Sequence, residues 1–394
     1  MTLAFIKKYS QLIFFIFTFY FAMKISSYSQ VLYFQNNHQL GWFSAYYSIM
    51  AIAGAISFII SNQLISFPIN TLHKAFTLLY SAGLFLRIFV QIPILIVSSA
   101  ILSGISASIV LLLLRRWIYE ITDRNHEERG KIHSIRFFFM QLAFIFSTLI
   151  SGLIYKILSL FFSSNWSYKA ILIGASLLML CNMLIKFPDI QNFEKKEMHF
   201  FLFPKDNFKL ALNMYILYIL MGISVAIITS ILPAVIHGSG WSVQITGLII
   251  SVISILTLMF SYIYQRNWVT IHANNVFLFS QLLSVVICCF SLLLGAPKYS
   301  VLAISAITEI TLAGFFTLKE LLEYEIIPVA QRQIFFGILQ SSFLIGDSFA
   351  SPIGTSVYLA GGLETLVWIY SLIVIVSSLA FYTLLRKRKH FKTA

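Results

Sequence analysis

The chain has 394 residues, of which 59% are hydrophobic and 10% charged, with a formal net charge of +13. A soluble domain carries about 25% charged residues, so this composition excludes a water-solvated globule, and the long unbroken apolar runs exclude a β-barrel, whose strands alternate over about 10 residues. The basic residues lie in short loops rather than in one domain, which excludes nucleic acid as a partner, and Cys181, Cys288 and Cys289 all fall inside apolar runs, with neither a disulfide framework nor metal-ligand spacing.

A helix needs about 20 apolar residues to cross a bilayer. Taken in order, the first such run covers residues 11–33, after Lys7 and Lys8. It is long enough to span and no small-residue cleavage site follows it, so it reads as a helix rather than a signal peptide. The next five are 42–65, 75–97, 98–119, 134–158 and 167–187. Pro188 to Lys209 is then the only polar interval of that length. Beyond it come 210–235, 243–264, 273–295, 299–321, 333–358 and 364–385. The expected architecture is an all-α integral membrane protein of 12 transmembrane helices: a six-helix bundle over 1–187, a cytoplasmic linker over 188–209 and a second bundle over 210–394. Pro233, near the end of the seventh run, predicts a kink.

With the N-terminus inside the cell, 20 loop Lys and Arg residues fall on the cytoplasmic side and three (Lys156, Lys169 and Lys298) on the other. That bias puts both termini and the linker in the cytoplasm. The halves also repeat. GWFSAYYSI from Gly41 answers GWSVQITGLI from Gly240, Thr71-Leu72-His73 answers Thr270-Ile271-His272, and Arg129 answers Arg332, at offsets of 199 to 203 residues. An even-numbered unit copied once gives parallel-related repeats.

Six plus six helices, a charged central linker and this repeat resemble the major facilitator superfamily over essentially the whole chain. Glu128-Arg129-Gly130, at the start of the fifth helix, is similar to the family pattern. The loop Asn62 to Lys74 (NQLISFPINTLHK) keeps only His73 and Lys74 of the family's basic motif. Ala100 stands where drug exporters carry an Arg, and Ser147 to Gly152 (STLISG) replaces their Gly-Pro motif. The resemblance implies that helices 1, 4, 7 and 10 line a central cavity and that the two bundles alternate access to it.

A charge in hydrocarbon costs about 2.5–3.5 kcal/mol on insertion scales, so intramembrane charges are the first functional candidates. Lys24, Glu309 and Asp347 qualify. By the resemblance, Lys24 and Glu309 share the cavity, with Glu309, alone or with Asp347, as protonatable switch and Lys24 as its counter-charge; the competing reading is fixed pairs that hold the bundles together. Gln141 and Gln340 stand at matching repeat positions and are read as substrate contacts or interhelical hydrogen bonds. Arg115, Arg116, Glu120, Arg129 and Arg136 form a candidate cytoplasmic gate, against a reading as solvated topology residues. Arg87 is expected mid-span in the third helix, facing inward to an acid or snorkelling to a headgroup. Lys319 reads as a structural charge at the end of the tenth helix.

The leading functional expectation is a secondary transporter, a proton-coupled exporter of an amphipathic small molecule such as a drug, siderophore or metabolite. The alternatives are a nutrient uptake symporter of the same fold, or a membrane-embedded transferase or non-transporting receptor. The only catalytic-looking loop, His126-Glu127-Glu128, is too generic for a transferase, and no GxxxxGK[ST] motif points to ATP drive. No cofactor or metal is expected. The expected partners are the lipid bilayer, a small-molecule substrate and protons, with the chain a monomer in a bacterial inner membrane.

Overall fold

The computed structural model describes residues 7–61, 67–124, 129–187, 204, 207–293, 297–327 and 332–392. Among the described residues there is no strand, and the regular structure is helical. Hydrocarbon offers no hydrogen-bond partner, so each crossing segment must satisfy its own backbone groups, which a helix does.

The first six long helices are α1 (Ser10–Asn36), α2 (Leu40–Ser61), α3 (Ile69–Leu86), α4 (Pro93–Arg124), α5 (Arg129–Leu158) and α6 (Ser164–Cys181), the last extended by a 3-10 turn over Asn182–Leu184. Then come α7 (Phe208–Thr229), α8 (Val243–Tyr264), α9 (Ala273–Leu292) and α10 (Pro297–Ile326). Short helices over Leu232–Gly238 and Asn267–Ile271 follow α7 and α8. The final run, Arg332–Lys392, is broken at Gly362, which has φ 68° and ψ −162°. A side chain would be strained there, so glycine permits the reversal that separates α11 (332–361) from α12 (363–392).

Twelve long helices therefore stand among the described residues, in an all-α membrane fold. Ten helical stretches are long and apolar enough to cross a membrane, one of them being Gly337–Leu384, which joins α11 and α12. The exception is α3, whose first turns carry Asn70, Thr71, His73 and Lys74. The central linker lies almost wholly outside the described residues, as do residues 125–128, which include His126-Glu127-Glu128.

Prolines set several boundaries that hydropathy blurs. Pro93 and Pro297 each open a helix, where the missing N–H is no loss and the fixed φ suits the first turn. The third run expected at 75–97 is thus a helix over Ile69–Leu86, and the next begins at Pro93 rather than 98. Arg87 becomes the C-cap of α3 instead of a mid-span residue. Pro233 acts as expected: α7 stops at Thr229 and the chain restarts at Leu232 with proline in the new first turn.

The chain divides into two compact units, 1–198 with 243–251, and 199–242 with 252–394. The first unit's core joins α1 to α3, α4, α5 and α6 through residues such as Phe15, Phe19, Tyr80, Trp117 and Phe187. The second unit's core joins α7 to α9, α10, α11 and α12 through Met214, Phe277, Phe315, Phe335 and Phe381. The most apolar stretches of the spans Ser10–Asn36 and Phe208–Gly238, which contain α1 and α7, are 61% buried, against 39–50% for the other candidate spans.

Candidate functional site

In the first unit, Lys24 is half-buried on α1, with its Nζ 5.2 Å from the Phe144 ring centroid on α5. Tyr20, one turn earlier on α1, meets the same ring edge-on at 5.8 Å. Gln141 is buried three residues before Phe144, so the two share a face of α5. Lys24 and Gln141 therefore belong to one α1–α5 seam.

This unit also holds the first turns of α8. The Tyr28 hydroxyl of α1 donates to the Val243 carbonyl at 2.6 Å. The Thr148 hydroxyl of α5 lies 2.8 Å from that of Ser251, and Ser251 also reaches the Ile145 carbonyl at 2.9 Å. Gly152 and Gly247 make the close approach of α5 and α8 feasible: a Cβ on Gly247 would run into the Thr148 carbonyl. The sequence reading took Tyr28 as part of an aromatic wall and Thr148 only within the STLISG stretch, and gave none of these residues a clasp role, because serines and threonines are spread through the spans and nothing in their spacing sets these apart.

In the second unit, Asp347 sits half-buried where α11 crosses α7 most tightly. A Cβ on Gly222 would meet the Phe343 carbonyl and the Asp347 backbone nitrogen, and one on Gly346 would meet the Ile219 carbonyl. Three residues beyond the half-buried Gln340, Phe343 belongs to an aromatic box around Lys319. The Lys319 Nζ lies 5.0 Å from the Tyr218 and Phe343 rings, 5.3 Å from Phe315 and 5.5 Å from Phe316. Only 8% of Lys319 is exposed, so it reaches the core that joins α7, α10 and α11 rather than trimming a helix end.

Glu309 is half-buried on α10. Thr308, the residue before it, lines a cavity of about 20 Å³ whose other polar lining is Ser224, Thr229, Gln281, Thr311 and Tyr370. That volume admits about one water molecule with several hydrogen-bonding groups around it. This polar constellation escaped the sequence reading, because its members come from four separate helices.

The gate candidates are only partly described. Arg115 and Arg116 are half-buried near the end of α4 and Arg136 is half-buried on α5. Glu120 and Arg129 fall on these helices, but their side chains lie outside the described residues. Lys24 belongs to the first unit, and Glu309, Asp347 and Gln340 to the second. No group of three or more metal-ligating side chains occurs among the described residues.

Residues 214–394 match the model of the Major Facilitator Superfamily. No curated protein matches the chain in sequence. Among solved structures, the nucleoside transporter NupG is similar at 15% identity, covering 96% of this chain and 98% of its own, with a TM-score of 0.70. A D-xylose-proton symporter is 17% identical over 95% of this chain and 96% of its own, with a TM-score of 0.69. A POT family transporter solved with 5-aminolevulinic acid is 14% identical over 97% and 96%, with a TM-score of 0.71. Identities this low carry the fold alone. The second half of this multi-pass membrane protein thus matches the superfamily's model in sequence, and the whole chain shares the fold of these solved transporters.

Proposed function

We propose that the protein is a secondary active transporter working by alternating access, which exports an amphipathic small molecule in exchange for protons. The observation that carries this reading is the clasp on α8. Its first turns are held by Tyr28, Thr148 and the Ile145 carbonyl through a few discrete hydrogen bonds, while residues 252–264 belong to the second unit. A contact made of a few hydrogen bonds, each worth about 0.5–1.5 kcal/mol net, is strong enough to hold one state and weak enough to release it. In this reading the clasp is on the side opposite the basic loops, both termini are cytoplasmic, and the monomer sits in a bacterial inner membrane as bundles 1–187 and 210–394 joined by the linker 188–209.

Glu309 is the proton carrier, with Asp347 as its second acid and Lys24 as counter-charge. The polar cavity lined by its neighbour Thr308, with Tyr370 and Gln281, supports this reading. Gln141 and Gln340 contact substrate, and Arg115, Arg116, Glu120, Arg129 and Arg136 close the cytoplasmic side. The aromatic walls around Lys24 and Lys319 suit an amphipathic substrate. The deciding experiment uses proteoliposomes with an imposed pH gradient and a panel of amphipathic fluorescent substrates. Counterflow of proton and substrate supports export; co-directional movement replaces it with uptake symport. Absence of gradient-driven movement across drug, siderophore, sugar, nucleoside and peptide panels removes the transport reading.

A further inference from the structure

Arg87 stands apart from every residue used above. It caps α3 and is only 5% exposed. It does not snorkel, and among the described residues no carboxylate lies within ion-pair distance. Its Nη1 donates to the Ser26 hydroxyl at 2.8 Å, and its Nη2 lies 3.8 Å from the Met50 sulfur, a weak acceptor. The Tyr46 ring covers the guanidinium at 5.3 Å. Among the described residues, the Nε–H has no acceptor and the buried Tyr46 hydroxyl has no partner. On the α1 face that carries Ser26, the next turn presents Ser29 and Gln30, whose hydroxyl and amide nitrogen are also buried without partners. Three helices of the first unit thus converge on a fixed positive charge with more donors than protein acceptors.

We propose that Arg87, with Ser26 and Tyr46, forms an oxyanion-binding site for a carboxylate or phosphate group. A buried charge needs an opposite one, and a guanidinium fork matches the oxygens of carboxylate and phosphate. The aromatic ring covers the guanidinium, the buried Nε–H is left for a bidentate contact, and the Ser26 hydroxyl stands 2.8 Å from Nη1. A cation is repelled, and a neutral ligand leaves the charge uncompensated. The same group comes either from a small solute or from a lipid headgroup.

The test reads binding, not transport, so it stands or falls separately from the transport reading. Protein purified in detergent with zwitterionic lipid is unfolded thermally at constant ionic strength while benzoate, inorganic phosphate or phosphatidylglycerol replaces chloride. At least one of the three raises Tm saturably. The shift vanishes in Arg87→Met, and half-saturation weakens about tenfold in Arg87→Lys, which keeps the charge and loses the fork. A response to phosphatidylglycerol alone assigns a headgroup, and a response to benzoate or phosphate assigns a solute. No response beyond chloride, or an equal response in Arg87→Met, overturns the site. Should Arg87→Met not fold, the double variant Ser26→Ala/Tyr46→Phe, which retains Arg87, must also weaken binding; an unchanged half-saturation overturns the site.

Discussion

Glu309 is the residue on which the coupling reading turns. It is a half-buried acid in an apolar helix, next in the chain to Thr308, which lines a water-sized polar cavity. Glu309→Gln keeps its shape and hydrogen-bonding capacity but cannot shuttle a proton. It should abolish pH-driven accumulation in proteoliposomes and leave substrate exchange without a gradient nearly intact; undiminished pH-driven transport would falsify its role. Intramembrane charges were legible in the sequence because they are rare and costly there. Their surroundings were not. Lys319 reads as a helix-end charge, yet the fold delivers four aromatic rings to it from α7, α10 and α11. Arg87 reads as mid-span until Pro93 is seen to open the next helix.

At the scale of the element, small residues decide how closely helices approach, since lipid gives no hydrophobic drive for helix association. α7 and α11 pack through Gly222, Gly346 and Gly354, each of which would collide with a backbone carbonyl of the opposite helix if it carried a side chain. Backbone cannot swing aside as a long side chain can. Gly346→Ala should therefore cost about 1–3 kcal/mol, the usual range for overpacking. Gly337, on the same helix, has open space around its Cβ position. Gly337→Ala should be neutral or stabilise by about 0.5–1 kcal/mol, because alanine loses less backbone entropy in a helix. Thermal unfolding of both variants in one detergent checks the pair, and equal effects would remove the packing argument. The sequence shows these glycines but not which of them meet a neighbour.

For the whole molecule, the long helices recur in register: Val243, Pro297 and Arg332 begin helices 203 or 204 residues after Leu40, Pro93 and Arg129 do. The sequence offsets of 199 to 203 are close to this spacing. The clasp supplies a test of alternating access. With the native cysteines replaced, Thr148→Cys/Ser251→Cys puts two thiols where hydroxyls now stand 2.8 Å apart. Oxidation should cross-link the pair and stop transport, and reductant should restore it. Transport that continues through a complete cross-link means that the clasp need not open.

The sequence by itself determined the class of this protein. Hydropathy is a property of each segment alone, so the run lengths, the charge bias of the loops and the internal repeat could be read without knowing which helix touches which. Proline and glycine likewise act on their own backbone and mark the ends of α4, α10 and α11 locally. Only the tertiary structure decided which polar groups are satisfied by one another. The hydroxyl clasp on α8, the cavity lined by Thr308 and Tyr370, the aromatic box around Lys319 and the Ser26–Tyr46 surroundings of Arg87 each draw residues from separate helices. A hydrogen bond or a ring contact depends on distances of a few ångströms, which residue spacing along the chain does not encode.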